Sequence, residues 1–141
     1  MKHYDFLIIG AGIFGVTTAI ELCKRKHSVA LLNPGTIPHP LAESTDISKI
    51  IRMEYGTDIE YMEMVEECLP VWREWNDLFN EKLFHETGFL LLSQQSLDTD
   101  KTSFELASYY NLIKKKYKPK RLDKNQLVKL FPFINAEKYY V

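Results

Sequence analysis

Two stretches of the sequence hold residue types that could do chemistry. The first is Gly10-Ala-Gly12-Ile-Phe-Gly15, a match to G-x-G-x-x-G. Each glycine has its own task in such a motif. Gly10 permits a tight turn, Gly12 lets a pyrophosphate approach the backbone, and Gly15 lets a helix pack close to a strand. The helix that opens at Ile13 and Phe14 offers N–H groups and a partial positive charge to phosphates. The motif gains weight from its place between a strand and a helix. The second stretch holds Lys49 and Arg52, two cations in "STDISKIIRMEYG", Ser44 to Gly56. A guanidinium can hold a carboxylate in a bidentate pair. Taken by themselves, the two charges also suit a solvated loop flanking a buried Ile50-Ile51 pair.

The glycine motif requires elements to position it. Tyr4 to Ile9 is an apolar run broken only by Asp5, as in a buried parallel strand. Ile13 to Lys26 reads as a helix with Val16, Ala19, Ile20 and Cys23 on its inner face. Ser28 to Leu32 reads as a second strand. Together they have the size of one βαβ unit. The second strand of such a unit ordinarily ends on Asp or Glu, which takes the ribose hydroxyls of a bound dinucleotide. Here it ends on Asn33. An amide accepts one bond and donates another, so contact is retained but weakened. No arginine follows at once to favour a 2′-phosphate. Lys26 stands where helices often place a left-handed glycine, at a cost of about 1 kcal/mol or more.

Pro34 to Ser48 reads as a loop. Ile59 to Phe79 has helical period in Tyr61, Met64, Cys68, Trp72, Trp75 and Phe79, with Pro70 inside it and a kink expected there. The two tryptophans read as core. Gly88 to Ser93, "GFLLLS", reads as a strand, and Lys101 to Lys116 as a helix. Asp123 and Gln126 have capping-box spacing for a short helix that stops before Pro132. The expected division is 1–57, the N-terminal part of a dinucleotide-binding domain, and 58–141, helices and a strand leading into a substrate domain.

Bulk properties exclude several classes. The formal net charge is −1, which provides no global attraction to nucleic acid or anionic membrane. "KKKYKPKR", Lys114 to Arg121, reads as a solvated helix end. The apolar stretch Phe6 to Ile20 contains glycines and is shorter than a span of about 20 residues. Cys23 and Cys68 are far apart in helical segments and read as buried thiols of a reducing, cytoplasmic compartment. His85 has no ligand partner at useful spacing, and HExxH, G-x-S-x-G and CxxC are absent from the sequence. No metal is expected.

"YDFLIIGAGIFGVTTAIELCKRKHSVALL" resembles the N-terminus of FAD-dependent oxidoreductases of the D-amino-acid-oxidase superfamily. "STDISKIIRMEYG" is similar to a segment of the monomeric sarcosine oxidase and N-methyl-amino-acid oxidase group, roughly S-x-x-x-[ST]-R-I-I-R-x-x-Y-G. "FHETGFLLLS" and "LDKNQLVKLFPFI" are similar to that group's TG-x-L strand and its short helix ending in Pro. The resemblance runs along nearly all of the chain but covers only the first part of the family's length.

The resemblance implies an α/β fold: the N-terminal βαβ of a Rossmann-like FAD-binding domain, then the start of an α+β substrate domain. It implies oxidation of the C–N bond of an amine or N-methyl amino acid by hydride-equivalent transfer to FAD. The implied cofactor-binding residues are Gly10, Gly12, Ile13, Phe14, Gly15, Asn33, Ser48, Lys49 and Ile50. Arg52 matches the arginine that faces the substrate carboxylate. Lys49 matches a second arginine beside the flavin ring; it keeps the charge and loses the planar fork. Thr45 stands where relatives often have histidine. The family's flavin-bonding cysteine and oxygen-reactive lysine lie beyond the matched part, so Cys23 and Cys68 match neither. This chain alone is expected to be inactive. The competing readings are a nicotinamide-binding Rossmann domain and a non-catalytic module that works with a complementing C-terminal chain.

Overall fold

A computed structural model of the chain describes residues 2–97, 99 and 102–140. It is a mixed α/β structure with a small parallel sheet. The chain divides into two compact units, Met1–Ile50 and Ile51–Val141. The segment Ile51 to Thr57 therefore packs with the second unit.

In the first unit, β1 (Phe6–Ile9) and β2 (Val29–Leu32) pair in parallel, with Phe6 opposite Val29 and Ile9 opposite Leu32. The crossover is α1 (Ile13–Lys24). Asp5 locks the strand starts together: its carboxylate accepts from both the N–H and the hydroxyl of Ser28, each at 2.8 Å. These bonds, the backbone one first, hold the Asp5 carboxyl below its usual range.

α1 stops two residues before the expected end. Lys26 takes a left-handed φ of 65°. Its N–H donates to the Cys23 carbonyl, and the His27 N–H donates to that of Leu22. That pair of bonds is the Schellman arrangement, which satisfies carbonyls at a helix end.

The inner face of α1 differs from the expected one. Gly15, Ala19 and Leu22 are partly covered, whereas Ile20 and Cys23 are exposed. The close contact at Gly15 sets the helix rotation, and positions four and seven residues on follow it inward. The strands are also more open than a parallel sheet usually is, with Ile9 82% exposed. Covering both faces of a parallel sheet takes helices on both sides, and the described residues of this unit supply α1 alone.

The second unit contains α2 (Ile59–Phe79), α3 (Phe104–Lys114) and α4 (Lys124–Leu130), then a 3-10 turn at Ala136–Lys138. α2 has the expected bounds and runs through Pro70. Its covered face is Met62, Val65, Leu69, Trp72 and Trp75, while Tyr61, Met64, Cys68 and Phe79 are exposed. Trp72 and Trp75 are half-buried and meet edge to face at 5.1 Å. Neither cysteine is the buried thiol expected, because each lies on the outward face of its helix.

The chain returns along α2 through Asn76. Its amide oxygen accepts from the N–H groups of Leu83 and Phe84, and its NH2 donates to the Phe84 carbonyl. α3 begins at Ser103, whose hydroxyl caps the Leu106 N–H. Lys101, where this helix was expected to begin, lies outside the described residues.

The "KKKYKPKR" stretch ends α3 as expected, with Lys114 in its last turn and Lys114 and Lys116 exposed, but Lys115 is half-buried. It pairs with Glu63 at 2.9 Å and Glu66 at 3.0 Å, both on α2. Glu66 also accepts from the Tyr117 hydroxyl at 3.0 Å. Lys115 first, then Tyr117, hold Glu66 below the usual carboxylate range, and Glu63 and Glu66 raise Lys115. Asp123 and Gln126 form the complete capping box, and α4 stops at Leu130.

Gly88 to Ser93 is not a strand. A strand needs a ladder partner, and among the described residues only Ser93 has one, an isolated antiparallel bridge to Tyr140. The buried apolar core of this unit is Met62, Leu106, Leu112, Leu127 and Ala136.

Candidate functional site

In the first unit the chain turns sharply after β1. Gly10 has φ 98°, a region that L side chains rarely adopt. Its N–H donates to the Leu32 carbonyl at 2.7 Å, so the turn is an extension of the sheet. α1 then passes directly over it. A Cβ on Gly15 would lie 1.9 Å from the Gly10 carbonyl oxygen. Around Gly12, in contrast, a Cβ would meet nothing within 4 Å. Gly12 is also the N-cap of α1, and no side chain caps that turn. The result is an open helix N-terminus at Gly12, Ile13 and Phe14, reached over bare backbone. Ile13 and Phe14 are themselves exposed, Phe14 by 85%. This is the arrangement an anionic phosphate requires.

Asn33 is tied into the same turn. Its Oδ1 accepts from the Ala11 N–H at 3.0 Å, and its NH2 donates to the Gly35 carbonyl at 2.8 Å. The amide retains one lone pair and one N–H beyond these bonds. The sequence reading missed this structural task of Asn33.

Ser48, Lys49 and Ile50 fall at the end of the first unit and are exposed. Ile50 is 77% exposed, so no buried Ile50-Ile51 pair forms. The Lys49 ammonium pairs with Asp46 at 2.9 Å, and that bond holds Asp46 below the usual carboxylate range. Thr45 donates its hydroxyl to the His39 carbonyl.

Arg52 belongs to the second unit. Its guanidinium carbon lies 5.1 Å from the Tyr55 ring centroid and 5.7 Å from that of Phe104. Such contacts orient a guanidinium without consuming its donors. Arg52 lines a cavity of about 510 Å³ with an apolar floor that includes Leu69, Phe84, Leu90 and Leu112. Among the described residues no cluster of His, Cys, Asp or Glu could hold a metal ion, and no helix is long and apolar enough to cross a membrane.

Comparison with known proteins decides the family. Residues 5–140 match the family described as DAO, FAD dependent oxidoreductase. The chain belongs to that family. It is 32% identical over 131 residues to the peroxisomal sarcosine oxidase of Homo sapiens, covering 93% of this chain and 32% of the relative. It is 34% identical over 111 residues to the L-saccharopine oxidase of Schizosaccharomyces pombe, covering 77% and 24%. It is 28% identical over 89 residues to a monomeric sarcosine oxidase of a Bacillus species, covering 63% and 23%. The chain thus spans about a third or less of the length of the curated relatives it matches. That family is FAD dependent by its description.

Proposed function

We propose that this chain is the N-terminal part of a Rossmann-like FAD-dependent oxidase acting on the C–N bond of an amine or N-methyl amino acid. The supporting observation is the uncapped, glycine-lined N-terminus of α1, open at Gly12 and closely packed at Gly15. Gly12, Ile13, Phe14 and Gly15 offer backbone N–H groups to the pyrophosphate of FAD, and Gly10, whose own N–H is bonded to Leu32, makes the turn that brings them there. Asn33 fixes the turn and offers its remaining lone pair and N–H to the ribose. Ser48, Lys49 and Ile50 line the cofactor further along. FAD bound there would supply the acceptor for a hydride equivalent from the carbon of the substrate C–N bond.

The remaining chemistry belongs to side chains. Arg52 holds the substrate carboxylate in a bidentate pair, and its cation favours an anionic neighbour. Lys49 contributes a second positive charge, tempered by Asp46. Residues 1–57 supply the cofactor part, and residues 58–141 lead into the substrate domain. The names of the relatives make sarcosine and related secondary amino acids the first substrates to try.

The test is anaerobic mixing of the full-length, FAD-loaded protein with sarcosine. Loss of the oxidised flavin absorbance is the expected result. A protein that binds no flavin, or flavin that stays oxidised with sarcosine, saccharopine and simple secondary amines alike, overturns the reading.

A further inference from the structure

The R-x-x-Y-G turn that carries Arg52 is held by α3 at a single residue. The Gly56 N–H donates to the Ser108 hydroxyl at 2.8 Å. The Gly56 carbonyl accepts from the Asn111 NH2 at 2.7 Å. Both backbone groups of Gly56 are thus held by side chains more than fifty positions away in sequence. Gly56 is buried and Ser108 is 2% exposed, so water does not compete freely for these bonds. Losing either partner would strand a buried polar group.

The same helix supplies a third contact. Phe104 stands one helical turn before Ser108, and its ring fills the space over Gly56. A Cβ there would lie 2.6 Å from the ring. Gly56 also has φ 61°, a region that favours glycine, and a Cβ there would have to push the Phe104 ring aside. That ring is one of the two over which the Arg52 guanidinium lies. Tyr55, the other, is the residue directly before the clamped glycine.

We propose that Ser108 and Asn111 are positioning residues for Arg52. They fix Gly56, and with it the neighbouring Tyr55, whose ring also stacks on Tyr61 at 5.6 Å, and the guanidinium lies over the Tyr55 and Phe104 rings. α3 thereby sets where the carboxylate-binding cation points. The functional consequence rests on the reading of Arg52 above; the geometric part does not.

Two measurements separate those parts. In the chain itself, NMR of the Arg52 side chain reports ring-current shifts from Tyr55 and Phe104. The expected result is upfield-shifted Arg52 resonances. They should move toward random-coil values in Ser108→Ala and in Asn111→Ala, and Ser108→Thr, which keeps the hydroxyl, should restore them in part. Asn111 is only half-buried, so its variant remains informative should Ser108→Ala fail to fold. Unshifted Arg52 resonances in the parent, or unchanged ones in folded Asn111→Ala, overturn the clamp.

The second measurement uses the full-length, FAD-loaded protein and the ratio of KM values for sarcosine and its amide. Each clamp variant should reduce the preference for the carboxylate by about two-fold to ten-fold, the range of one net neutral hydrogen bond. It should add nothing in an Arg52→Ala background, an outcome that mere loss of stability does not produce. If Arg52→Ala itself leaves the preference unchanged, the carboxylate role of Arg52 fails while the geometric clamp stands or falls on the NMR result. If Arg52→Ala abolishes the preference and the clamp variants do not change it, the positioning role fails.

Discussion

Two glycines of the first turn should fail in opposite ways when given a methyl group. At Gly15 the new Cβ would lie 1.9 Å from the Gly10 carbonyl oxygen and 3.1 Å from its carbon. The obstacle is backbone, and Gly10 is held to the sheet through its 2.7 Å bond to Leu32. Either α1 must lift or the end of β1 must shift. Overpacking of this kind costs about 1–3 kcal/mol, and a backbone obstacle places Gly15→Ala at the upper end.

At Gly12 the methyl meets nothing within 4 Å, and φ −72°, ψ 179° suits alanine. The weaker N-cap costs about 0.5–1 kcal/mol. The stiffer unfolded chain returns about 0.4–1 kcal/mol, so Gly12→Ala should be close to neutral for folding. The methyl does, however, occupy the approach to the helix N-terminus. Loss of one charge-assisted bond to phosphate, about 1.5–3 kcal/mol, raises the Kd for FAD by about ten-fold to a hundred-fold.

The assays are urea denaturation followed by circular dichroism, and equilibrium titration of the apoprotein with FAD. Gly15→Ala should lower the urea midpoint, and Gly12→Ala should leave it in place while weakening FAD. Unchanged FAD affinity in Gly12→Ala refutes the phosphate placement. An unchanged midpoint in Gly15→Ala refutes the close packing of helix on turn.

Asn33→Leu removes the acceptor for the Ala11 N–H, a buried residue, and should cost about 1–3 kcal/mol in urea denaturation. Asn33→Asp keeps that acceptor but loses the donor to Gly35, so it should destabilise less, whatever it does to FAD affinity. Asp123→Ala deletes the cap of α4 and should cost about 0.5–2 kcal/mol, read as a lower thermal midpoint. The Glu66–Lys115 pair makes the second unit acid-sensitive. Glu66 is lowered in the folded state, so its contribution is complete above its unfolded pKa and is lost as pH falls through the folded one. The acid limb of a pH–stability curve should therefore flatten in Glu66→Gln, and an identical limb in parent and variant counts against the pair. Lys115 is raised, so its contribution is lost only as pH rises beyond the ordinary lysine range.

What the sequence determined is what local sterics and local hydrogen bonds dictate. Gly10 and Gly15 are needed by a turn built within a few residues, Gly12 leaves its approach open, and their spacing alone states it. The capping box of Asp123 and Gln126 and the left-handed Lys26 are local in the same sense, as are the bounds of α2. The resemblance carried by "STDISKIIRMEYG" pointed to the family that residues 5–140 match. Tertiary structure decided matters in which several outcomes satisfied the same local pattern. α1 and α2 each had more than one apolar stripe, and contacts with distant segments chose Leu22 over Cys23 and Met62 over Met64. "GFLLLS" has strand composition, yet backbone pairing depends on a partner, and only Ser93 finds one. Asn33 gave no sign in the sequence of its second task, the bonds of its amide to Ala11 and Gly35. The turn that carries Arg52 was legible, but its anchors, Ser108 and Asn111, were not. A serine and an asparagine inside a helix give no sign of a distant partner, and only folding brings Gly56 within hydrogen-bond reach of both.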